Sequence, residues 1–295
     1  MKFGAVTRSY MDKTVAEAAK FMAARGYNCT ELCMGHPDFK GWAYNNPPPL
    51  DENGITKEVM KEKADILRDH GIEPTALGVF TNLLTPDDDF RGKCIEGYIR
   101  CMDLAAHAGI KNLSTELGFR DGKRGITTDV YEADFKRLLE SFTILGNAAK
   151  ERGVNVCIEA CVIDVIPSAK RLRDFISQIY QASGLTNIKV LLDMANFIAN
   201  SDEDDVFKYL APHIAYFHGK DRKVNDCFGR NLGDGDIDWV KFFMNYFRLT
   251  PDIPFILEYV RENTTDMVNE RVARFVKQAK TNLVLQGCAF PRLDA

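Results

Sequence analysis

The sequence lacks the features that would assign it to a membrane or to nucleic acid. No apolar run approaches the roughly 18 residues that a membrane-spanning helix requires. The N-terminal segment Met1–Val6 is short and soon gives way to polar residues, which is not the pattern of a signal peptide. The formal net charge of −4 provides no net positive field that would attract nucleic acid. We therefore expect a cytoplasmic protein with neither membrane nor nucleic-acid partners.

Tight cysteine motifs are also missing, although the chain contains eight cysteines. Cys29 and Cys33 are four residues apart, as are Cys157 and Cys161, so each pair would lie on one side of a strand. No CxxC spacing occurs, and that absence weighs against a zinc or redox site. We predict that the cysteines are small, reduced and buried.

Short apolar segments alternate with longer helical patterns eight times along the 295 residues. Strands that are buried on both faces have this short, apolar composition. The predicted strands are Phe3–Thr7, Asn28–Met34, Thr75–Phe80, Asn112–Leu117, Asn155–Ala160, Lys189–Asp193, Ile214–His218 and Phe255–Tyr259. The predicted helices are Thr14–Ala24, Thr56–His70, Phe90–Ala108, Tyr131–Arg152, Ser168–Ser183, Asp204–Leu210, Asp238–Leu249 and Asp266–Gln286. Five of these helices end at or just before a glycine, which can close a helix in the left-handed conformation.

Alternation of strands and helices implies parallel strands joined by right-handed crossovers. Eight such units predict a closed (β/α)8 TIM barrel, an α/β fold that spans residues 1–295 as a single domain. The rival arrangement, an open doubly wound sheet, usually carries a glycine-rich phosphate loop after its first strand. Here the first strand runs into Thr7–Tyr10, which lacks that motif. The longest loop, Gly35–Asp51, follows the second strand, so we expect it at the C-terminal mouth of the barrel.

Four ionisable residues lie at the ends of four successive predicted strands. They are Glu159 on the fifth strand, Asp193 on the sixth, His218 on the seventh and Glu258 on the eighth. Each follows apolar residues, so each should lie where the barrel core gives way to the mouth, the usual place of function in such barrels. Carboxylate oxygens together with one imidazole suit Mn²⁺, Mg²⁺, Co²⁺ or Zn²⁺. A cation would also relieve the repulsion among the clustered carboxylates.

The chain resembles the xylose-isomerase-like barrel superfamily, in particular its sugar phosphate isomerase/epimerase branch, which includes ketose 3-epimerases. The motifs that carry the resemblance are Cys157–Ala160, Leu192–Asn196, His218–Asp221, Gly233–Trp239 and Ile256–Glu258. The resemblance implies one bound divalent metal ion, for which we favour Mn²⁺ over Mg²⁺, Co²⁺ and Zn²⁺. The ligands that it implies are Glu159, Asp193, His218 and Glu258.

The resemblance also implies that Glu159 and Glu258 move protons on and off a carbon next to a carbonyl. Carboxylates on opposite faces of a sugar can act as base and acid, and a metal ion stabilises the enediolate that forms. We therefore expect a metal-dependent sugar isomerase or epimerase that acts on a small carbohydrate, with homo-oligomer formation left open. A lyase or dehydratase acting on a keto-sugar, keto-inositol or keto-glycoside begins with the same proton abstraction and is the alternative.

Two other classes of protein agree less well with the sequence. DNA-repair endonucleases share this barrel, but they use a cluster of three metals and more histidines than the five found here. The acidic net charge also opposes DNA binding. A non-catalytic sugar-binding protein would not need a full set of metal ligands.

Four further residues are candidate substrate contacts. Asn196 stands where ketose 3-epimerases carry a substrate-binding histidine. Lys220 lies two residues past the predicted metal-binding histidine and should point to the same side, unless it is a solvated loop lysine. Glu31 lies mid-strand, where a charge needs a partner, and it contacts either substrate or an arginine such as Arg8. His36 follows the second strand, where a histidine on the loop surface is the other interpretation.

Two sugar-binding residues of ketose 3-epimerases have no counterpart in this sequence. Val165 replaces their second glutamate and Val224 replaces their substrate arginine, with Arg222 nearby. The metal-binding part of the resemblance is therefore more complete than the part that would recognise the sugar.

Overall fold

The computed structural model describes residues 1–39, 55–120, 125–226 and 228–288. Eight parallel strands close into a barrel in chain order, and the predicted (β/α)8 fold is confirmed. The strands are β1 (Phe3–Ala5), β2 (Cys29–Cys33), β3 (Glu73–Gly78), β4 (Asn112–Thr115), β5 (Asn155–Ile158), β6 (Ile188–Asp193), β7 (Ile214–Gly219) and β8 (Phe255–Leu257). Pairing of β1 with both β2 and β8 closes the sheet. The assignment of all 295 residues to one domain stays a prediction.

Eight α-helices surround the barrel among the described residues, one after each strand. They are α1 (Val15–Ala23), α2 (Lys57–Asp69), α3 (Asp88–His107), α4 (Tyr131–Arg152), α5 (Ala169–Ser183), α6 (Glu203–Leu210), α7 (Trp239–Leu249) and α8 (Thr265–Leu285). Gly153 and Gly184 close α4 and α5 with φ angles of 65° and 67°, as the glycine endings predict. No helix in these ranges combines the length and apolar character that crossing a bilayer would require.

Several strand ends differ from the predicted bounds. Thr7, which we predicted in the first strand, instead begins a 3₁₀ helix over Thr7–Tyr10. The fifth and eighth strands end one residue before Glu159 and Glu258, but the sheet still holds both residues. The Glu159 N–H donates to the Thr115 carbonyl and the Glu258 N–H to the Gly219 carbonyl, at 3.0 and 3.1 Å. Residues 40–51 of the long predicted loop lie outside the described residues.

The barrel interior below the mouth is a small apolar layer. Its buried members are Val6, Cys29, Ala76, Cys157, Leu191, Tyr216 and Ile256. The seven cysteines among the described residues are free, and six of them are buried, which confirms the prediction for those six; Cys288 is only partly buried. Burial raises the pKa of the Cys29 thiol to about 12, so this cysteine is a packing residue and not a reactive one.

Gly4 allows β1 and β2 to approach closely, because a side-chain carbon at this position would lie 1.7 Å from the Cys29 carbonyl oxygen. We expect Gly4→Ala to lower the free energy of unfolding by about 3 kcal/mol or more, because a backbone atom cannot move aside cheaply. Gly92→Ala in α3 is the matched control, since no atom lies within 4 Å of its added carbon. It should raise stability by about 0.5–1 kcal/mol. Urea unfolding of both variants measures the difference, and equal stabilities would contradict the close packing at Gly4.

Candidate metal centre

The four predicted ligands meet at the C-terminal mouth of the barrel. Glu159, Asp193, His218 and Glu258 each offer a ligand atom, and these atoms all lie within 4.8 Å of one another. None of the four residues is more than 4% exposed. Asp193 and His218 are register partners on adjacent strands β6 and β7, which places their side chains next to each other. The structure therefore brings together a compact set of three carboxylates and one imidazole.

Lys220 places its ammonium group among the three carboxylates. Its Nζ lies 2.6 Å from Asp193 Oδ2 and 2.7 Å from Glu258 Oε2. Glu159 Oε1 is farther away, at 3.6 Å. Burial lowers the pKa of Lys220, but Asp193 and Glu159 outweigh this effect and raise it above its ordinary value. The lysine therefore points to the same side as His218, as its spacing predicts, and it supplies positive charge to the cluster.

Glu31 lies beneath the cluster, on the far side of His218 from the other carboxylates. Its Oε2 accepts hydrogen bonds from Tyr216 Oη and, at 3.2 Å, from Ser114 Oγ. The same oxygen lies 3.3 Å from His218 Nε2. A carboxylate behind a histidine commonly fixes the orientation and tautomer of the ring at a metal site. Glu31 is thus placed to direct His218 Nδ1 toward the mouth.

The environment of His218 fits a cation. Its Nδ1 lies 3.6 Å from Glu258 Oε2 and 3.8 Å from Glu159 Oε1. Neither ring nitrogen has hydrogen-bond geometry with a described group, although the ring is fully buried. Burial lowers the pKa of His218, but Glu31 and Glu159 outweigh burial and raise it to about 9. The surrounding carboxylates thus raise the pKa values of both His218 and Lys220, because they favour positive charge at this place. The same carboxylates would favour a bound cation.

The remaining predicted site residues have different positions. Asn196 donates from Nδ2 to Glu159 Oε1 at 2.9 Å, so it holds a carboxylate of the cluster. His36 is 1% exposed, and its Nδ1 lies 2.8 Å from the Lys13 carbonyl oxygen. It is not part of the four-residue cluster. The predicted substrate roles of Asn196, Lys220, Glu31 and His36 stay predictions.

Two residues near the cluster have contacts that the sequence did not reveal. Arg8, in the 3₁₀ turn after β1, makes an ion pair with Glu258 Oε1, whereas the sequence offered it only as a partner for Glu31. Tyr216 donates to Glu31 from within the barrel. Its position two residues before His218 on β7 is a signal that could have found it, because such residues share one side of a strand.

Asp221 organises the loop that carries Lys220 and the neighbouring Arg222. Its carboxylate accepts hydrogen bonds from the backbone N–H groups of Arg222 and Gly233, both at 2.9 Å. Trp239 Nε1 donates to it at 2.8 Å. These contacts join the two ends of the segment between β7 and α7, which explains why a Gly-Asp-Gly motif and a tryptophan accompany the aspartate. A side-chain carbon at Gly235 would lie 2.1 Å from Asp221 Oδ1.

The chain was compared with protein families and with individual known proteins. A family model described as a xylose isomerase-like TIM barrel matches residues 19–279. A relative described as probable endonuclease 4, from Haloarcula marismortui, is 25% identical over an alignment 260 residues long, and the match covers 80% of this chain and 89% of that protein.

Solved structures share the fold at low sequence identity. D-psicose 3-epimerase from Clostridium cellulolyticum H10, solved with D-tagatose, has a TM-score of 0.69 and 17% identity, over 95% of this chain and 99% of that chain. The IOLI protein, solved with a bound zinc atom, has a TM-score of 0.70 and 15% identity, over 99% of this chain and 100% of that chain. At these identities the likeness shows the barrel alone.

A metal ion and the Lys220 ammonium would compete for the same carboxylates. We expect Lys220→Met to bind Mn²⁺ about 10-fold more tightly or better, because the metal no longer displaces charge-assisted hydrogen bonds of about 1.5–3 kcal/mol each. Lys223→Met, three residues along on an exposed loop position, is the control and should leave the affinity unchanged. Isothermal titration of the EDTA-treated, dialysed proteins measures both. Weaker binding by Lys220→Met would show that the lysine assists the metal and does not compete with it.

Proposed function

The chain belongs to the xylose isomerase-like TIM barrel family, and we propose that it is a divalent-metal-dependent sugar isomerase or epimerase. The observation that carries the proposal is the buried cluster of three carboxylates and one histidine at the barrel mouth. This donor set suits a single hard or borderline cation, and we favour Mn²⁺ over Mg²⁺, Co²⁺ and Zn²⁺. The ligands would be Glu159, Asp193, His218 and Glu258.

Glu159 and Glu258 would transfer the protons. A bound metal would supply Lewis-acid stabilisation of the enediolate formed from the substrate. The two glutamates follow β5 and β8, which are not neighbours in the barrel, so they approach a bound sugar from different sides. One carboxylate takes the proton from the carbon next to the carbonyl, and the other returns a proton to the opposite face or to the adjacent carbon. The first outcome is an epimer and the second is an isomer.

The contacts of the two glutamates would tune this proton transfer. Glu258 is held by Arg8 at Oε1 and by Lys220 at Oε2, while Asn196 donates to Glu159. Burial raises the pKa of Glu258 to about 8, and a bound metal ion would oppose this effect by favouring the ionised form of the carboxylate. Lys220 is also close enough to the cluster to stabilise the negative oxygen that develops on the substrate.

A lyase or dehydratase on a keto-sugar, keto-inositol or keto-glycoside is the alternative within the same chemistry. It would use the same cluster for the first proton abstraction and differ only in what leaves next. A product of unchanged mass favours isomerisation or epimerisation, whereas loss of water or of an aglycone identifies the alternative. Mass spectrometry of reactions with Mn²⁺ and a panel of ketoses and 3-keto sugars separates the two.

The endonuclease relative does not lead us to propose DNA cleavage. His70 follows α2 and His107 ends α3, while His213 precedes β7, so all three lie at the face of the barrel opposite the mouth. The four-residue cluster contains one histidine, His218. The net charge of −4 also disfavours DNA binding.

Substitution of the two glutamates tests the mechanism. We expect Glu258→Gln and Glu159→Gln each to lower kcat by about 10²–10⁴-fold, because an amide cannot act as a general base. Affinity for Mn²⁺ should fall less, because three ligands and an amide oxygen remain. Incorporation of deuterium from D₂O into a substrate identified by the panel should fall with turnover, as measured by NMR.

The control for these variants is Glu270→Gln on the exposed surface of α8, which should behave like the wild type. EDTA should abolish activity while circular dichroism shows the helices intact, because the barrel has its own core. Wild-type turnover by Glu258→Gln would make Glu258 a spectator and would refute the two-carboxylate mechanism.

A further inference from the structure

A groove between two neighbouring segments of the mouth begins beside the four-residue cluster. One segment follows β1 and the other follows β8, and these two strands are paired in the barrel. The inner part of the groove is a cavity of about 230 Å³, whose lining includes Arg8 and Tyr259. Arg8 also makes an ion pair with Glu258 of the cluster, and its side chain is 23% exposed. The inner cavity therefore lies next to one of the four clustered residues.

The groove continues outward into a second cavity of about 450 Å³. Ser9 and Arg261 line both cavities, so the two adjoin. Asp12, Glu262 and Asn263 complete the lining of the outer cavity and lie farther along the two segments, away from the strand ends. A ligand at the cluster therefore has room for a further group at the rim of the barrel.

The two walls of the groove are connected to each other. Lys13 Nζ lies 3.0 Å from Glu262 Oε2, which joins the segment after β1 to the segment after β8. Tyr10 and Thr265 make a second connection through a buried hydrogen bond of 3.0 Å between their hydroxyl groups. The groove is therefore formed before any ligand arrives, and a preformed site loses less conformational entropy on binding.

The surface of the groove suits a sugar. Tyr259 is 51% exposed where it lines the inner cavity. Its φ angle of 59° is a left-handed conformation that residues with a side chain rarely adopt, and such conformations cluster at functional sites. The outer cavity offers hydroxyl, amide, carboxylate and guanidinium groups from Ser9, Asn263, Asp12 and Arg261. A sugar ring has C–H groups on its faces and hydroxyl groups that donate and accept at its edge, so it matches an aromatic ring beside these polar groups.

We propose that this groove is a subsite for a second sugar unit, so that the substrate is a keto-sugar linked to another sugar. One unit would lie at the cluster, and the second would lie between Ser9 and Asn263. An ion of one sign matches the outer cavity less well, because Arg261 lines it together with Asp12 and Glu262. The proposal rests on the proposed function for which unit reacts, but binding of the second unit can be measured without turnover.

Binding of matched one-unit and two-unit sugars tests the proposal. The Mn²⁺-loaded protein is titrated by calorimetry with D-fructose and its glucosyl derivatives maltulose and isomaltulose, and with methyl 3-keto-α-D-glucopyranoside and 3-ketotrehalose. We expect at least one two-unit sugar to bind about 10-fold or more tightly than its one-unit partner, because hydrogen bonds to the second unit add to those of the first. Equal or weaker binding of every two-unit sugar, or no binding of any sugar, would overturn the proposal.

Asn263→Trp is the decisive variant, because a large side chain at this position would fill the outer cavity. The affinity for the two-unit sugar should fall to that for its one-unit partner, whose own affinity should not change. Asn147→Trp on the exposed surface of α4 is the matched control and should behave like the wild type. Loss of affinity for both sugars would make the groove an access route to the cluster, and unchanged affinity for both would place the second unit elsewhere. Either result refutes the subsite.

Asp12→Ala tests the opposite wall without adding bulk. Asp12 is exposed, with its Oδ2 3.5 Å from Lys13 Nζ, so its replacement should leave the Tm unchanged. The affinity for the two-unit sugar should fall about 2- to 10-fold, in line with the loss of a hydrogen bond, while the affinity for the one-unit sugar stays the same. A two-unit sugar that binds this variant as tightly as the wild type would contradict the subsite.

These outcomes also separate the subsite from the proposed function. A preference for two-unit sugars that depends on Asn263, in a protein that takes up no Mn²⁺, would refute the metal-dependent mechanism and leave the subsite standing. Mn²⁺ binding with proton exchange on one-unit ketoses, and no preference for two-unit sugars, would do the reverse.

Discussion

Three carboxylates and an imidazole lie within 4.8 Å of one another at the mouth of the barrel, almost completely removed from water. Like charges at this separation cannot all remain ionised without positive charge among them. Lys220 provides it from the loop after β7, and Arg8 adds an ion pair to Glu258 from the turn after β1. The arrangement of the mouth therefore depends on positive charge close to the carboxylates. Lys220 and Arg8 supply part of this charge.

The barrel keeps these carboxylates close together because the sheet fixes the backbone of each acidic residue. Backbone hydrogen bonds hold Glu159 to β4 and Glu258 to β7, which fixes the position from which each carboxylate extends. Asp193 is further restrained by the Ala195 N–H, which donates to its Oδ1 at 2.9 Å. Glu31 lies below the imidazole, with its Oε2 3.3 Å from His218 Nε2. Donor groups restrained in this way would lose little conformational entropy on binding a cation, which would favour affinity.

The sequence predicted the elements of the fold and the members of the cluster, because both follow from local patterns. Apolar strands that end in an ionisable residue reveal Glu159 and Asp193 without any knowledge of tertiary structure. The support of His218 by Glu31 could not be predicted in this way. The two residues lie on β2 and β7, which are not adjacent strands, so they meet only across the closed barrel. The ion pair between Arg8 and Glu258 depends on the same closure, since Arg8 follows the first strand and Glu258 follows the last.

The four-residue cluster and the groups around it occupy different parts of the fold. The four clustered residues lie in strands or directly after them, where barrel closure fixes their positions. Arg222 and Asn196 belong to the segments that follow β7 and β6, and their side chains reach the cluster through an amide relay. Such segments can change sequence without disturbing strand register. Substitutions there can alter the charge that the mouth presents to a substrate while the carboxylates remain in place. In this chain, the guanidinium of Arg222 lies one amide group away from Glu159, so a substitution at Arg222 or Asn196 would change the surroundings of the cluster and leave the strands that carry it unchanged.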